Sequence, residues 1–217
     1  MTAIALSRWI HDNAAGTEFA ARIVDYDNGG FQVRPRMLFE SSHAYRLPLV
    51  ERDRLDADDA AALRTLLDAY WHRRGQLPER ALLAIGRGEL AAWSRWPDQA
   101  LALVVAGLES LIATRIGELT RNFKRRLPLI ARMVGVAGVD VDFADRIYSA
   151  RSEGVHGRPV GLFQEWDTTA IEDLRLAFLL ARRTLRTLVL REDFAQHFTT
   201  KQSIDRLFGR QTVPQFF

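Results

Sequence analysis

Between Arg151 and His156, in the stretch Tyr148-Ser-Ala-Arg-Ser-Glu-Gly-Val-His-Gly157, the chain carries an arginine, a hydroxyl, a carboxylate and a histidine within six residues. A guanidinium stays charged at any physiological pH, and an imidazole titrates near neutrality. Together they suit a phosphodiester. Arg151 can clamp the non-bridging oxygens in two-pronged fashion while His156 moves a proton, and no metal is needed for that chemistry. The same residues also suit a plain helix end, where a cationic His156 complements the helix dipole and Arg151 pairs with a neighbouring carboxylate.

Spacing limits how the pair can act. Five residues at about 100° each separate Arg151 and His156 by roughly 140° around a helix and about 7.5 Å along it. Ser152 and His156 are one turn apart and share a face. Gly154 weakens the last turn, and Gly157 and Pro159 form a helix-stop signature just beyond His156. The site therefore belongs at the C-terminal end of a helix.

Other elements must hold that end in place. From Asp56, a candidate N-cap, Leu63, Leu66, Leu67, Tyr70 and Trp71 recur at helical spacing until Arg73-Arg-Gly75. A second helix starts at Pro78 and runs to about Trp96. Its Gly86 and Gly88 are assigned to close helix packing, and Trp93 and Trp96 to the core. Pro97 opens a third helix, with Leu101, Val104, Val105, Leu108, Leu111, Ile112 and Ile116 on one arc of about 140°. Glu109 falls just past the edge of that arc, so its carboxylate should be partly buried and in need of a cation. Arg151 is the candidate partner, and Arg115 or water are the alternatives.

Residues 121–133 carry five positive charges, Arg121, Lys124, Arg125, Arg126 and Arg132, and no negative one. They form either a phosphate-facing patch or a solvated helix end. Residues 134–139 are a glycine-broken link into the Arg/His helix. Asp167 or Thr168 caps a long helix to about Arg191, with Arg175, Arg182 and Arg186 on one flank and Leu176 and Leu180 opposite its main apolar stripe. A helix apolar on two faces implies deep burial or a subunit contact, and the second option predicts a homodimer. A short helix around Ile204–Phe208 and an apolar tail end the chain.

The first 54 residues read differently. Residues 3–26 have helical spacing, Asp27-Asn-Gly-Gly30 is a turn, and residues 31–39 are strand-like, with Pro35 confining them to an edge. His11, Asp12 and His43 fit no metal-ligand pattern. The expected organisation is an N-terminal extension over 1–54, with room for a short strand or hairpin, and a helical domain over 55–217.

Totals exclude several classes. The 217 residues contain no cysteine, which rules out disulfides, thiolate nucleophiles and Cys-ligated zinc. No metal site or cofactor is expected. The first residues lack a signal peptide's basic flank, and nowhere do about 18 apolar residues run together, so the expectation is a cytoplasmic chain with no membrane partner. Net charge is only +3, but residues 101–217 hold 17 basic and 13 acidic side chains against 13 and 14 in residues 1–100.

Three pieces, in order, resemble the HEPN superfamily (the higher eukaryote and prokaryote nucleotide-binding helical domain), and most closely its Apea-like branch. They are Ala106-Gly-Leu-Glu-Ser-Leu111, the stretch Ile147 to Gly157 with its Tyr-x-x-Arg-Ser-x-x-x-His-Gly pattern, and the long helix from Asp167. The resemblance covers roughly residues 78–208. It implies an all-α antiparallel bundle that pairs into a homodimer with facing Arg/His sites. It further implies a metal-independent endoribonuclease of a defence or toxin–antitoxin type system, acting by 2′-hydroxyl attack, with RNA and an antitoxin or other defence protein as partners. The alternative is a non-catalytic dimerisation or RNA- or nucleotide-binding module.

Carried over by residue, Arg151 stabilises the scissile phosphate, His156 is general acid or base, and Ser152 takes the polar position after Arg151. Glu109 and Tyr148 support them. Arg121, Lys124, Arg125, Arg126 and Arg158 are the candidate nucleic-acid contacts. Glu153-Gly154 replace the family's basic or apolar pair. Glu153 paired with Arg158 suits cleavage, and Glu153 unpaired in the groove suits the binding module.

Overall fold

A computed structural model describes the backbone of residues 19–25 and 31–37, and residues 57–94, 97–114, 117–155, 168–209 and 214–217. His156, Gly157, Arg158, His11, Asp12, His43, Asp56, Trp96, Arg115, Ile116 and Asp167 lie outside the described residues, as do the side chains of Trp93, Glu153 and Ile171.

Eight helices make up the described body: α1 (Ala57–Arg73), α2 (Glu79–Trp93), α3 (Pro97–Ile112), α4 (Leu119–Met133), α5 (Val141–Val155), α6 (Thr168–Leu190), α7 (Glu192–Gln196) and α8 (Lys201–Phe208). Charge placement helps to set α1, with Asp58 and Asp59 in its first turn and His72 and Arg73 in its last. The α2–α3 pair is antiparallel. Arg80, at the start of α2, donates to the carbonyls of Ser110 (2.9 Å) and Ala113 (2.5 Å) at the end of α3, and Arg87 donates to Ala106 at 2.6 Å. Gly107 sets how closely the two helices approach, since a Cβ there would lie 3.3 Å from the Ala84 carbonyl oxygen. Gly86, assigned to close packing on sequence, faces open space instead, whereas Gly88 is buried.

The apolar arc of α3 is buried from Leu101 to Ile112 and packs against α2, α4, α5 and α6. A Schellman turn closes α4: Val136 N–H bonds to Ala131 O (2.8 Å) and Gly135 N–H to Arg132 O (3.4 Å), with Gly135 at φ 68°. Asp140 then caps α5, its Oδ1 accepting from Phe143 N–H at 2.7 Å. This pair of stops aims α5 back along α3, which carries Tyr148 and Arg151 to Glu109.

The two apolar faces of α6 have a plain cause. Leu180 is fully buried and Leu176 packs on the core next to Gly138. The helix is surrounded by α1, α2, α3, α4, α5 and α7. Burial therefore accounts for the second face, which removes the sequence feature that had suggested a subunit contact. The C-terminus closes the far end: Thr200 and Ser203 form a reciprocal cap on α8, and the Phe216 N–H bonds to Met133 O at 2.8 Å.

Upstream, β1 (Phe19–Asp25) pairs antiparallel with β2 (Phe31–Met37), with Ala21 opposite Pro35. Residues 19–25 are thus a strand rather than the end of a helix. Pairing with a neighbouring extended segment overrides a helical spacing that rests on few apolar positions. In a two-stranded sheet every strand is an edge, which is where Pro35 is tolerated. No helix among the described residues is long and apolar enough to cross a membrane.

Candidate functional site

Three helices build the site. From α3, Glu109 projects beside the buried arc with 12% of its side chain exposed, and from α5 Arg151 meets it, Nη2 to Oε2 at 3.3 Å, with 28% exposed. The Tyr148 hydroxyl donates to the other carboxylate oxygen, Oε1, also at 3.3 Å. Both oxygens of one acid are thereby held by two residues of one helix. From α4, Phe123 packs against the Tyr148 ring at a centroid distance of 5.1 Å. The Arg151 guanidinium carbon lies 5.6 Å from that ring's centroid, within cation–π range.

The requirement that Glu109 find a cation is met by Arg151 across the helix pair. The contact is looser than the 2.7–2.9 Å usual for charge-assisted bonds and engages one nitrogen of a five-donor fork. A partly exposed guanidinium restrained in this way keeps donors for an oxyanion. Ser152 is half-buried next to it on α5.

The basic run on α4 separates into two groups. Arg126 turns inward, donating to Ile112 O at 2.8 Å and to Thr114 Oγ1 at 3.2 Å, and pairs with Asp205 of α8. Lys124 pairs with Asp145 of α5 at 2.6 Å. These two residues, expected on sequence to contact nucleic acid, tie α4 to its neighbours. Arg121, Arg125 and Arg132 are exposed and lie within about 40° on a helical wheel. The basic surface is therefore narrower than the five-charge run suggested. Nearby, Arg146 forms a two-pronged pair with Asp173 at 2.6 and 2.8 Å, joining α5 to α6.

Phe123 and Asp205 were not anticipated. Phe123 reads in sequence as one more core aromatic, and Asp205 lies 79 residues from the Arg126 it holds. Among the described residues no three His, Asp or Glu side chains gather at metal-ligand spacing. Comparison with known proteins finds no family model, no curated relative and no solved structure that matches this chain.

Proposed function

We propose that this chain is a metal-independent endoribonuclease of HEPN type, with Arg151 gripping the scissile phosphate and His156 transferring the proton. The observation that carries the reading is the Arg151 guanidinium, partly exposed and restrained by Glu109 and Tyr148 at the junction of α3 and α5. Attack by the 2′-hydroxyl on the adjacent phosphorus displaces the 5′-oxygen of the next nucleotide and leaves a 2′,3′-cyclic phosphate. Arg151 offsets charge on the phosphoryl oxygens, and His156 serves as base or acid at one of the two transferring oxygens. Arg121, Arg125 and Arg132 supply sequence-independent attraction to the RNA backbone. In the HEPN-like arrangement two copies bring their Arg151/His156 pairs together, in a defence or toxin–antitoxin setting with a protein antitoxin as the further partner.

One observation favours a second reading, a non-catalytic RNA- or nucleotide-binding module: Glu109 already offsets part of the Arg151 charge. The deciding experiment incubates the purified full chain with mixed cellular RNA, with and without chelator, and scores cyclic-phosphate ends. Chelator-resistant cyclic ends support the nuclease. RNA binding without ends supports the module. A folded protein that neither cuts nor binds RNA overturns both, and a light-scattering mass of one chain at micromolar concentration removes the composite dimer site.

A further inference from the structure

Along α2 the side-chain sizes run inside out. Its inner residues Ala81, Ala84, Ile85, Gly88 and Ala91 are mostly small and all buried. Larger side chains face the other way: Leu82, Leu83 and Leu90 are 40%, 47% and 57% exposed. They are three of the seven large hydrophobic side chains exposed among the described residues, so they form a concentration and not a scatter. At 100° per residue Leu82, Gly86, Leu90 and Leu83 fall within one arc of about 100°. Gly86 is the middle residue of α2, and a Cβ there would meet nothing within 4 Å. A mid-helix glycine weakens a helix relative to alanine, and no neighbour in the described body requires one at this position.

A glycine at the centre of an exposed apolar face lets a second backbone come close. Leu82 and Leu90 flank Gly86 at four residues on either side, so the face is its own complement under a two-fold rotation. We propose that the outer face of α2 pairs with the same face of a second copy of this chain, antiparallel and centred on Gly86, with Leu82 beside the partner's Leu90. Charge fits this occupant. Glu79 is the exposed acid on the same arc, and antiparallel pairing puts the two Glu79 carboxylates at opposite ends, 14 helix positions or roughly 21 Å apart. The contact goes beyond the RNA-cleavage reading and is separate from Arg151. On α3, Gly107 meets Ala84 of α2 while Glu109 meets Arg151. Two residues are about 200° around a helix, so α2 and Arg151 lie on opposite sides of α3.

The test measures the mass of the full chain by sedimentation equilibrium across the micromolar range. Proteins compared are the parent, Leu90→Asp, Gly86→Leu and Arg151→Ala, each checked for a native circular-dichroism spectrum. Leu90 is exposed, so Leu90→Asp keeps the test valid should Gly86→Leu fail to fold. Leu90→Asp is expected to weaken pairing at least about tenfold, since it brings a carboxylate into an apolar contact. Gly86→Leu is expected to weaken pairing by a similar factor, because its side chain holds the two backbones apart, and to raise the thermal midpoint of the dilute protein. Arg151→Ala pairs like the parent. Register is read by crosslinking. The chain has no cysteine, so Leu82→Cys and Leu90→Cys each carry a single thiol. With a short bismaleimide, a mixture of the two variants gives covalent dimer, whereas either variant alone, with its thiols eight positions or roughly 12 Å apart along the pair, gives little.

A dimer that persists in Arg151→Ala, falls in Leu90→Asp and crosslinks only in the mixture establishes the α2 contact. Stronger association in Gly86→Leu shows an apolar surface without a close crossing and overturns it. A parent of one-chain mass with no covalent dimer overturns it as well, leaving the face to another segment of the chain or to a different protein. A dimer that survives Leu90→Asp and Gly86→Leu places the pairing elsewhere, which overturns the α2 contact and leaves the composite Arg151/His156 site standing.

Discussion

Tyr148 and Arg151, three residues apart on α5, converge on the single carboxylate of Glu109, each at 3.3 Å and each on a different oxygen. Neighbours at i and i+3 on a helix share a face, so one acid on α3 can hold both. The guanidinium is then oriented twice, by the acid and by the ring next to it. An arginine restrained in this way loses less conformational freedom when a phosphate arrives.

Glu109→Gln should lower stability by about 1–2 kcal/mol, less than for a fully buried pair because Arg151 is partly exposed. Chemical denaturation of parent and variant measures it. If stability is unchanged while RNA cleavage vanishes, Glu109 is a reacting group and not a support.

Tyr148→Phe keeps the ring against Phe123 and under Arg151 and removes only the hydroxyl bond, so it should cost about 0.5–1.5 kcal/mol. Tyr148→Ala also removes the ring and should cost about 2–3 kcal/mol, below the range for a fully buried ring because Tyr148 is half-buried. Equal losses in the two variants would assign the whole contribution to the hydroxyl and none to packing.

On the proposed nuclease reading, His156→Ala should slow RNA cleavage by about 10²–10⁴-fold, the usual contribution of one proton-transfer group, and leave RNA binding near the parent's. Arg151→Ala should weaken both, since it removes the ground-state contact and the transition-state charge. Single-turnover kinetics with a filter-binding series separates the two effects. Cleavage that survives in His156→Ala points to a different proton-transfer group.

On α4 the two kinds of cation should behave differently. On the proposed RNA-binding reading, Arg121→Ala and Arg125→Ala should each reduce the salt slope of RNA binding by roughly one, with stability unchanged. Arg126→Ala should instead lower the thermal midpoint, because it releases Asp205, Thr114 and the end of α3. A salt slope that drops for Arg126→Ala and not for Arg121→Ala would reverse this assignment.

Gly135→Ala should destabilise by about 1–2 kcal/mol, the cost of placing an L side chain at φ 68°. Its Cβ would also approach Phe217 Cγ to 2.8 Å. Part of the loss should return in the Gly135→Ala, Phe217→Ala double variant, and thermal unfolding of all three proteins tests that. A double variant no more stable than Gly135→Ala would leave backbone strain as the whole effect.

What the sequence determined by itself was local. The helical spacing of Leu63–Trp71 and of Leu101–Ile112, the Pro97 start, the Arg73-Arg-Gly75 stop and the glycine-broken link before α5 all follow from side-chain periodicity and backbone preference, which act within a few residues. The burial of Glu109 was legible in the same way, since its place on the helical wheel put a carboxylate at the edge of an apolar arc. Only the tertiary structure could decide which cation answers it, because Arg151 is 42 residues away and several arginines had the right chemistry. The same holds for Arg126, which looks like a member of a basic patch until α8 presents Asp205. It holds again for Leu176 and Leu180, whose second apolar face is explained by the helices that enclose α6. Periodicity reports how apolar a face is, whereas the neighbour that covers it, and the charge that meets a charge, depend on contacts between residues far apart in the chain.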